Sequence, residues 1–421
     1  DSNEERVTTS SQNDNLYKSF TNIQVSPNPT DPYLNVGDVD GDGLFEFIVG
    51  SSSIVNGKKL LHVTMFDDDG TKLWGPLNTG LKWAGEYPWT FWDLDEDGDE
   101  EVIGLMYDES GGDRLYLVAK DGRNGNVLRQ SEDIPHQYPQ STDDRDNRLY
   151  LTPALLDGEN PYIVLIAGIY KHRHDAWTIA FDRYLNEVWT YFKAKSTHDG
   201  GSHKVRAADL DGDGKDEVIN GATCFNGDGS VRWDRKIAHM DGLDIGDVDP
   251  YVDGLEIFYA IEQGQAGYTE PPTYAALLDK DGNRLWVPDV QIRSGGGSFI
   301  ANVKGDSPGL ECYVKYDTDE GWEHRLYSYD GKVLESNGYA NGPKDWNGDD
   351  VADFVKTTTG AGWHKFDADI IGDYREETIA YHMGNGELRV YTNNNMNPNG
   401  KKPSHWETHL YKLEKRWTGY R

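Results

Sequence analysis

Short apolar stretches along the chain are separated by runs of Asp and Gly, not by long amphipathic segments. Residues 33–36 and 47–49 bracket one such run, 89–92 and 102–105 a second, and 205–208 and 218–219 a third. Apolar runs this short, closed by Gly- and Asp-bearing loops, read as strand, loop, strand. Outer strand pairs with glycine turns follow at 61–74 and 274–286. Four strands per unit make a propeller blade. The sequence offers no amphipathic helix and no Pro-, Ser- or Gly-rich linker to mark a second domain.

The loops carry a repeated acidic template. Asp38-Val-Asp40-Gly-Asp42-Gly-Leu-Phe-Glu46, Asp93-Leu-Asp95-Glu-Asp97-Gly-Asp-Glu-Glu101 and Asp209-Leu-Asp211-Gly-Asp213-Gly-Lys-Asp-Glu217 are its full copies. Degenerate copies hold Asp247, Asp249 and Glu256, then residues 305–311, then Asp345, Asn347, Asp349 and Asp353, then Asp369, Asp373 and Glu377. A metal-poor copy spans 156–164. Counted this way there are eight, which predicts an all-β, eight-bladed β-propeller with calcium loops between strands. Seven blades is the alternative, because the last two copies lie close together. The expected domain plan is a polar N-terminal tail at 1–15 and a single β-propeller catalytic domain at 16–421.

Acids at positions 1, 3, 5 and 9, with a backbone carbonyl at 7, wrap a hard cation, and Ca2+ is the expected cofactor. An EF-hand is excluded, since its loop ends at position 12 and is flanked by helices. The expected work of the metal is to staple strands, not to catalyse.

Charge and composition narrow the partners. With 73 acidic and 41 basic side chains the net charge is −32, which argues against duplex nucleic acid, since phosphate binding needs concentrated Lys and Arg. The mean hydropathy of −0.74 is offset by 13 Trp, 25 Tyr and 12 Phe, enough large apolar surface for a core. No apolar run approaches the roughly 20 residues of a membrane span. Asp1 opens the chain as in a trimmed, mature secreted protein, so the expected location is secreted or extracellular, with the periplasm or cell surface as variants. A monomer is expected. Cys224 and Cys312 are read as buried free thiols in preference to a bridge.

Positions just upstream of the loops enter the innermost strands, so in a propeller they share one rim. They include Tyr87, Arg148, His203, His239, Arg293, Lys344 and His364, with Tyr170, His172 and Arg173 on a neighbouring loop. A basic and aromatic rim on an acidic protein suits an acidic polysaccharide, whose carboxylates need cations and whose rings stack on aromatic faces. His203 and His239 lie 36 residues apart at the same place in consecutive units, and equivalent rim positions on adjacent blades can converge on one ligand. No Ser nucleophile elbow, zinc motif or phosphate-cradling loop competes. The abundance of acids leaves a carboxylate-based hydrolase open.

Five stretches carry a family resemblance: residues 31–43, 146–158 running on to 170, 201–217, 242–250 and 369–377. Together and in order they resemble the rhamnogalacturonan lyases of polysaccharide lyase family eleven. The resemblance implies a calcium-dependent eight-bladed propeller that cleaves between rhamnose and galacturonate by β-elimination. It further implies that His203 and His239 match the family's paired central histidines; His203 or His239 is then the expected base, with Tyr170 as alternative base or acid. Arg148, Arg206 and Arg293 are then the candidates to neutralise the uronate carboxylate. Two departures stand out. The family's Gly-Arg-Gly before the sixth blade reads Gly295-Gly-Gly297 here, and its Lys ahead of the last Asp loop has only Lys365 nearby. They leave room for an ulvan-type glucuronate–rhamnose linkage. A non-catalytic, calcium-dependent propeller that grips acidic glycans is the reading from another class.

Overall fold

The computed structural model describes residues 17–24, 30–82, 88–108, 110, 112–134, 148–168, 175–194, 201–235, 239–261, 275–289, 298–318, 321–336, 344–345, 350–352, 365–370, 374–382, 387–393 and 409–416. After β1 (Tyr17–Gln24), strands follow in antiparallel groups of four. The first group is β2 (Thr30–Gly37), β3 (Glu46–Val55), β4 (Lys58–Phe66) and β5 (Lys72–Lys82). The second is β6 (Trp89–Trp92), β7 (Glu101–Asp108), β8 (Arg114–Lys120) and β9 (Val127–Gln130). The third is β10 (Leu149–Ala154), β11 (Tyr162–Ala167), β12 (Ala176–Phe181) and β13 (Glu187–Lys193). Next come β14 (Val205–Ala208), β15 (Glu217–Asn220), β16 (Thr223–Phe225) and β17 (Val231–Asp234). Then follow β18 (Met240–Gly246), β19 (Glu256–Ile261), β20 (Ala275–Leu278) and β21 (Arg284–Trp286). The sixth group is β22 (Phe299–Ala301), β23 (Glu311–Thr318), β24 (Gly321–Tyr327) and β25 (Val333–Ser336). The last is β26 (Lys365–Ala368), β27 (Glu377–His382) and β28 (Glu387–Asn393), completed by β1 along β28.

Among the described residues there are therefore seven four-stranded sheets of propeller-blade type, and the expected eight is corrected to seven. The loop that heads no described sheet is the one starting at Asp345. Its backbone instead exchanges two hydrogen bonds with the loop after β26: Asp345 N–H donates to Glu376 Oε2 at 2.9 Å, and Glu376 N–H donates to the Asp345 carbonyl at 2.7 Å.

The chain divides into two compact units, Asp1–Asn147 with Asn341–Arg416 and Arg148–Ala340 with Trp417–Arg421. In each, burial falls from the first strand of a blade to the fourth. In the first unit β6 is buried throughout, whereas β9 is nearly all exposed. In the second, β10 and β14 are fully buried and β13 alternates. Inner strands covered on both faces need continuous apolar side chains, and outer strands with one wet face do not.

A second device recurs. A tryptophan at the end of one blade donates its indole N–H to the turn of the next: Trp74 to the Gly122 carbonyl at 2.6 Å in the first unit, and in the second Trp189 to Gly227 at 3.0 Å, Trp233 to Lys280 at 3.2 Å and Trp286 to Tyr329 at 2.8 Å. The ring lies against a turn glycine. At Gly229, with φ of +81°, a Cβ would stand 2.6 Å from the Trp189 ring, so neither the backbone conformation nor the space admits a side chain.

Among the described residues one helix, α1 (His409–Arg416), departs from the all-strand expectation. Eight residues are too few for the periodicity to register, yet Leu413 is buried and Tyr411 joins the core of the first unit. The Tyr411 hydroxyl donates to Glu376 Oε1 at 2.7 Å and accepts from Asp369 N–H at 2.9 Å.

Candidate active site

Within the second unit, β14 and β18 start side by side. His203 N–H donates to the Met240 carbonyl and Met240 N–H to the Gly201 carbonyl, both at 3.1 Å, and Ser202 and Met240 form a parallel bridge. This backbone clip brings His203 and His239 together, edge to face, with ring centroids 4.6 Å apart. Both rings are buried, His239 completely.

Three further side chains close on the pair. Arg148 Nη1 lies 3.0 Å from His203 Nδ1 and 3.3 Å from Nε2. The Tyr150 hydroxyl is 3.0 Å from the same Nδ1. Asp241 Oδ1 stands 3.9 Å from Nε2 of each histidine, an ion-pair separation too long for a hydrogen bond. Its near-equal distances to the two ring nitrogens set the Arg148 guanidinium against the face of the His203 ring. Burial, followed by His239, Arg148 and Lys204, holds His203 well below the ordinary histidine range. The ring is neutral at neutral pH, the state a proton acceptor requires.

The sequence reading placed His203, His239 and Arg148 here and missed Tyr150 and Asp241. The signal was present: Tyr150 follows Arg148 by two, and Asp241 follows His239 by two. In a strand that spacing puts side chains on one face.

Two other candidates take different positions. Arg206 is buried, its Nη2 2.6 Å from Asp244 Oδ1 and its Nε 3.4 Å from the Leu243 carbonyl. Asp244 Oδ2 in turn accepts from Ile300 N–H at 2.9 Å, so the pair ties β14, β18 and β22. Arg206 is thus a positioning residue rather than a rim cation. Lys344, expected on the rim, is fully buried in the first unit, its Nζ 2.7 Å from Asp367 Oδ1 and also bonded to the Thr378 hydroxyl. The position upstream of the loop is the same, but an acid partner far along the chain draws each cation inward. Tyr87, Tyr170, His172, Arg173, Arg293 and His364 lie outside the described residues.

The carboxylate loops show whether a cation fits. Ligand oxygens of Asp38, Asp40 and Asp42 lie within 4.8 Å of one another, as do those of Asp93, Asp95 and Glu101, and of Asp209, Asp211 and Glu217. Asp67 and Asp68, from the turn after β4, join Glu46 in a similar group. The Glu that closes the loop has a fixed pose, at position nine in Glu46, Glu101, Glu217 and Glu377 and at position ten in Glu256: each accepts a loop backbone N–H on Oε2, leaving Oε1 to face elsewhere. Asp95 Oδ1, Asp211 Oδ1, Glu256 Oε1 and Glu311 Oε1 are buried with no hydrogen-bond partner. An orphaned carboxylate oxygen costs free energy that a bound cation would recover. Burial, with the neighbouring acids adding to it, pushes Glu46 up to about 8 and Glu101, Glu217 and Glu256 up to about 7. The donor set is all oxygen, and it fits a hard cation.

In two loops an arginine from the fourth strand takes the other oxygen of the third-position acid: Arg129 with Asp95 at 2.8 Å and Arg232 with Asp211 at 2.7 Å. Near the loop starting at Asp209 opens a cleft of about 440 Å3, lined by Tyr162, Asp211, Asp213, Lys215, Glu217 and Arg232 among others. It is separate from the histidine pair. Asp97, Asp213, Asp247 and Asp249 lie in described loops, Asp345 and Asp369 are buried, and Asn347, Asp349, Asp353 and Asp373 lie outside the described residues.

Propeller-type blades with a buried histidine pair, an arginine and a tyrosine at the entrance to two inner strands define the class: an all-β, blade-built scaffold with a buried titratable cluster between two blades. Its family follows from comparison. The profile of rhamnogalacturonan lyase family 11, C-terminal domain, matches residues 112–368, and the chain belongs to this family. It is 28% identical over 425 residues to the rhamnogalacturonan endolyase YesW of Bacillus subtilis (strain 168), covering 85% of this chain and 66% of that protein. It is 25% identical over 438 residues to the rhamnogalacturonan exolyase YesX of the same strain, covering 85% and 70%. The chain therefore spans about two thirds of the length of these curated relatives. The crystal structure of YesW matches with a TM-score of 0.77 at 25% identity, over 95% of this chain and 79% of that one. The Bacillus licheniformis rhamnogalacturonan lyase PL11 matches in fold with a TM-score of 0.78 at 23% identity, over 96% and 80%.

Proposed function

We propose that this protein is a polysaccharide lyase acting on a rhamnose- and uronate-containing polymer of the rhamnogalacturonan I type, cleaving by β-elimination to leave an unsaturated uronate end. The observation that carries the reading is the buried, neutral His203 held by Arg148 and Tyr150 beside His239, in a chain of this family. Elimination needs the uronate carboxylate neutralised so that its C5 proton becomes acidic, and a base to remove that proton. Arg148 is the cation for the carboxylate and His203 the base. As the C5–H bond breaks, its electron pair becomes the C4–C5 double bond and the C4–O4 bond opens. His239 buttresses His203, and Asp241 steadies the imidazolium once the proton has arrived. Protonation of the departing O4 is the role expected of Tyr170.

Calcium is part of this proposal, and the all-oxygen donor sets of the carboxylate loops support it. Asp38, Asp40, Asp42 and Glu46, with the equivalent acids of the loops starting at Asp93 and Asp209, would hold it. When bound it supplies charge neutralisation that keeps the loops folded. An extracellular place of work accords with a polymer substrate and a calcium demand.

The test is ultraviolet absorbance of the conjugated product during incubation with rhamnogalacturonan I, homogalacturonan and ulvan in parallel. A rise on rhamnogalacturonan I alone is expected. A rise on ulvan alone would move the substrate to a glucuronate–rhamnose linkage, and binding without any rise would leave a glycan-binding propeller.

A further inference from the structure

The middle strands of the sixth sheet, β23 and β24, have two unlike faces. Val314, Tyr316 and Tyr327 join the core shared with the β18–β21 sheet. The opposite face carries Phe299, Tyr313, Lys315, His324 and Trp322. Register places them there: Phe299 pairs with Tyr313, Lys315 with His324, and Trp322 lies two residues from His324. Phe299 stacks on Tyr313 with ring centroids 4.4 Å apart at 11°, and the Tyr313 hydroxyl bonds His324 Nδ1. The row ends at Trp322, 51% exposed on the β23–β24 hairpin. Two other lysines of this sheet, Lys304 and Lys332, are paired with Glu335 and Asp330. Among the described residues Lys315 Nζ has no such acid partner and lies over the Trp322 ring, 4.6 Å from its centroid. Burial, then Lys315, holds His324 below the ordinary histidine range, so His324 is neutral at neutral pH.

The first strand of each sheet runs away from the histidine entrance and the second runs back to it. Ile300 on β22 bonds Asp244 on β18 and pairs with Cys312 on β23, which sets a common level. Five residues toward the entrance from that level, one segment reaches His239 and the other Asp317, the register partner of Trp322. Trp322 and the histidine pair therefore lie toward the same end of one unit. We infer that Lys315 and Trp322 form a distal subsite for the substrate polymer. The indole packs against the face of a sugar ring, and Lys315 pairs with the carboxylate of a uronate beyond the one being cleaved. An ammonium has three donors, so Lys315 keeps its place at the ring while it bonds the carboxylate. On a chain of net charge −32 an anionic polymer is repelled over much of the surface. A lysine without an acid partner, beside an exposed aromatic ring, is where it can settle. The grip is the same before and during elimination, so it sets affinity for the polymer and not the rate of the chemical step. The inference rests on the lyase reading above and adds to it where the polymer is held away from the reacting bond.

The experiment compares wild type, Trp322→Ala, Trp322→Phe and Lys315→Gln, with melting temperatures taken on every sample. The probes are rhamnogalacturonan I and the same polymer with its uronate carboxylates reduced to alcohols. Affinity electrophoresis reads binding to both, and ultraviolet absorbance gives KM and kcat on the native polymer. Trp322→Ala is expected to weaken binding to both polymers and to raise KM by about fivefold or more, with little change in kcat. Trp322→Phe keeps a ring and should recover most of the loss. Lys315→Gln is expected to weaken binding to the native polymer by about threefold and to leave binding to the reduced one unchanged. Wild-type binding and KM in Trp322→Ala, with rhamnogalacturonan I still cleaved, would overturn the subsite and leave the lyase reading standing. An equal loss on both polymers in Lys315→Gln would overturn the uronate contact. A fall in kcat at unchanged KM would overturn the distal placement. If the wild type neither binds nor cleaves rhamnogalacturonan I, the lyase reading fails and the subsite with it.

Discussion

Removing the Asp244 carboxylate should unsettle the inner strands of the second unit and leave the chemistry to its own residues. Arg206 and Asp244 side chains are 7% and 11% exposed and meet at 2.6 Å, so Asp244→Ala strips a buried guanidinium of its shortest anionic contact. Breaking a buried pair from one side costs about 3–5 kcal/mol. The slight exposure of both partners favours the lower end. The substitution also takes the acceptor from Ile300 N–H, a loss of about 1 kcal/mol or more. For a unit of this size each kcal/mol moves the melting temperature by about 2–4 °C, so a loss of about 4 kcal/mol predicts a fall of roughly 8–16 °C by circular dichroism. Asp244→Asn keeps an acceptor for Ile300 and should fall by less. Replacing both partners, as Arg206→Met with Asp244→Leu, removes the charge imbalance and should recover most of the loss. If Arg206 positions strands and does not grip substrate, that double variant keeps most of its turnover. Melting of Asp244→Ala within a degree or two of wild type would refute the energetic reasoning. A stable double variant without activity would return Arg206 to the substrate.

Other outcomes follow from the same geometry. Excess EGTA should lower the melting temperature by several degrees or more, because metal binding adds stability by mass action, and added calcium should restore it; unchanged melting would remove calcium from the loops. His203 sits well below the ordinary histidine value, so its contribution to stability is complete above the unfolded value near 6.5 and is lost as pH falls below it toward the lower folded value. A melting series from pH 8 to pH 5 should therefore fall less steeply in His203→Gln than in wild type, and parallel curves would count against a buried neutral ring. Cys224 and Cys312 are buried free thiols whose burial pushes them above the usual thiol range. Both should resist a thiol reagent until the protein unfolds, and rapid labelling of the native protein would show the inner strands opening.

Much of the fold was legible because the repeat is written in residues whose chemistry is local. An Asp-Gly loop between apolar runs makes its turn wherever it occurs, and the Leu-Trp ends at Trp74 and Trp286 marked outer strands correctly. The blade count was less secure, since Asp345 carries the template yet binds the loop after β26 without heading a described sheet. Nor could the template separate its two adjacent acids. Glu101 faces its own loop, while Glu100 is a clip, accepting Asp38 N–H at 3.0 Å and donating its own N–H to the Asp38 carbonyl at 2.8 Å. Asp216 does the same to Leu155, at 2.6 and 3.0 Å. The histidine pair was legible from equal placement in consecutive units. The fates of Arg206 and Lys344 were not, because their partners Asp244 and Asp367 are remote in sequence and only the closed sheets bring them near.

The central claim is that His203 is the proton acceptor of a β-elimination. The direct measurement is the rate of absorbance increase on rhamnogalacturonan I for wild type and for His203→Gln, with melting temperatures taken on the same samples. The account predicts a rise with wild type and a fall of about 100-fold or more with His203→Gln, the usual range for losing a general base, while the fold stays intact. A His203→Gln protein that melts normally and cleaves at the wild-type rate would contradict it.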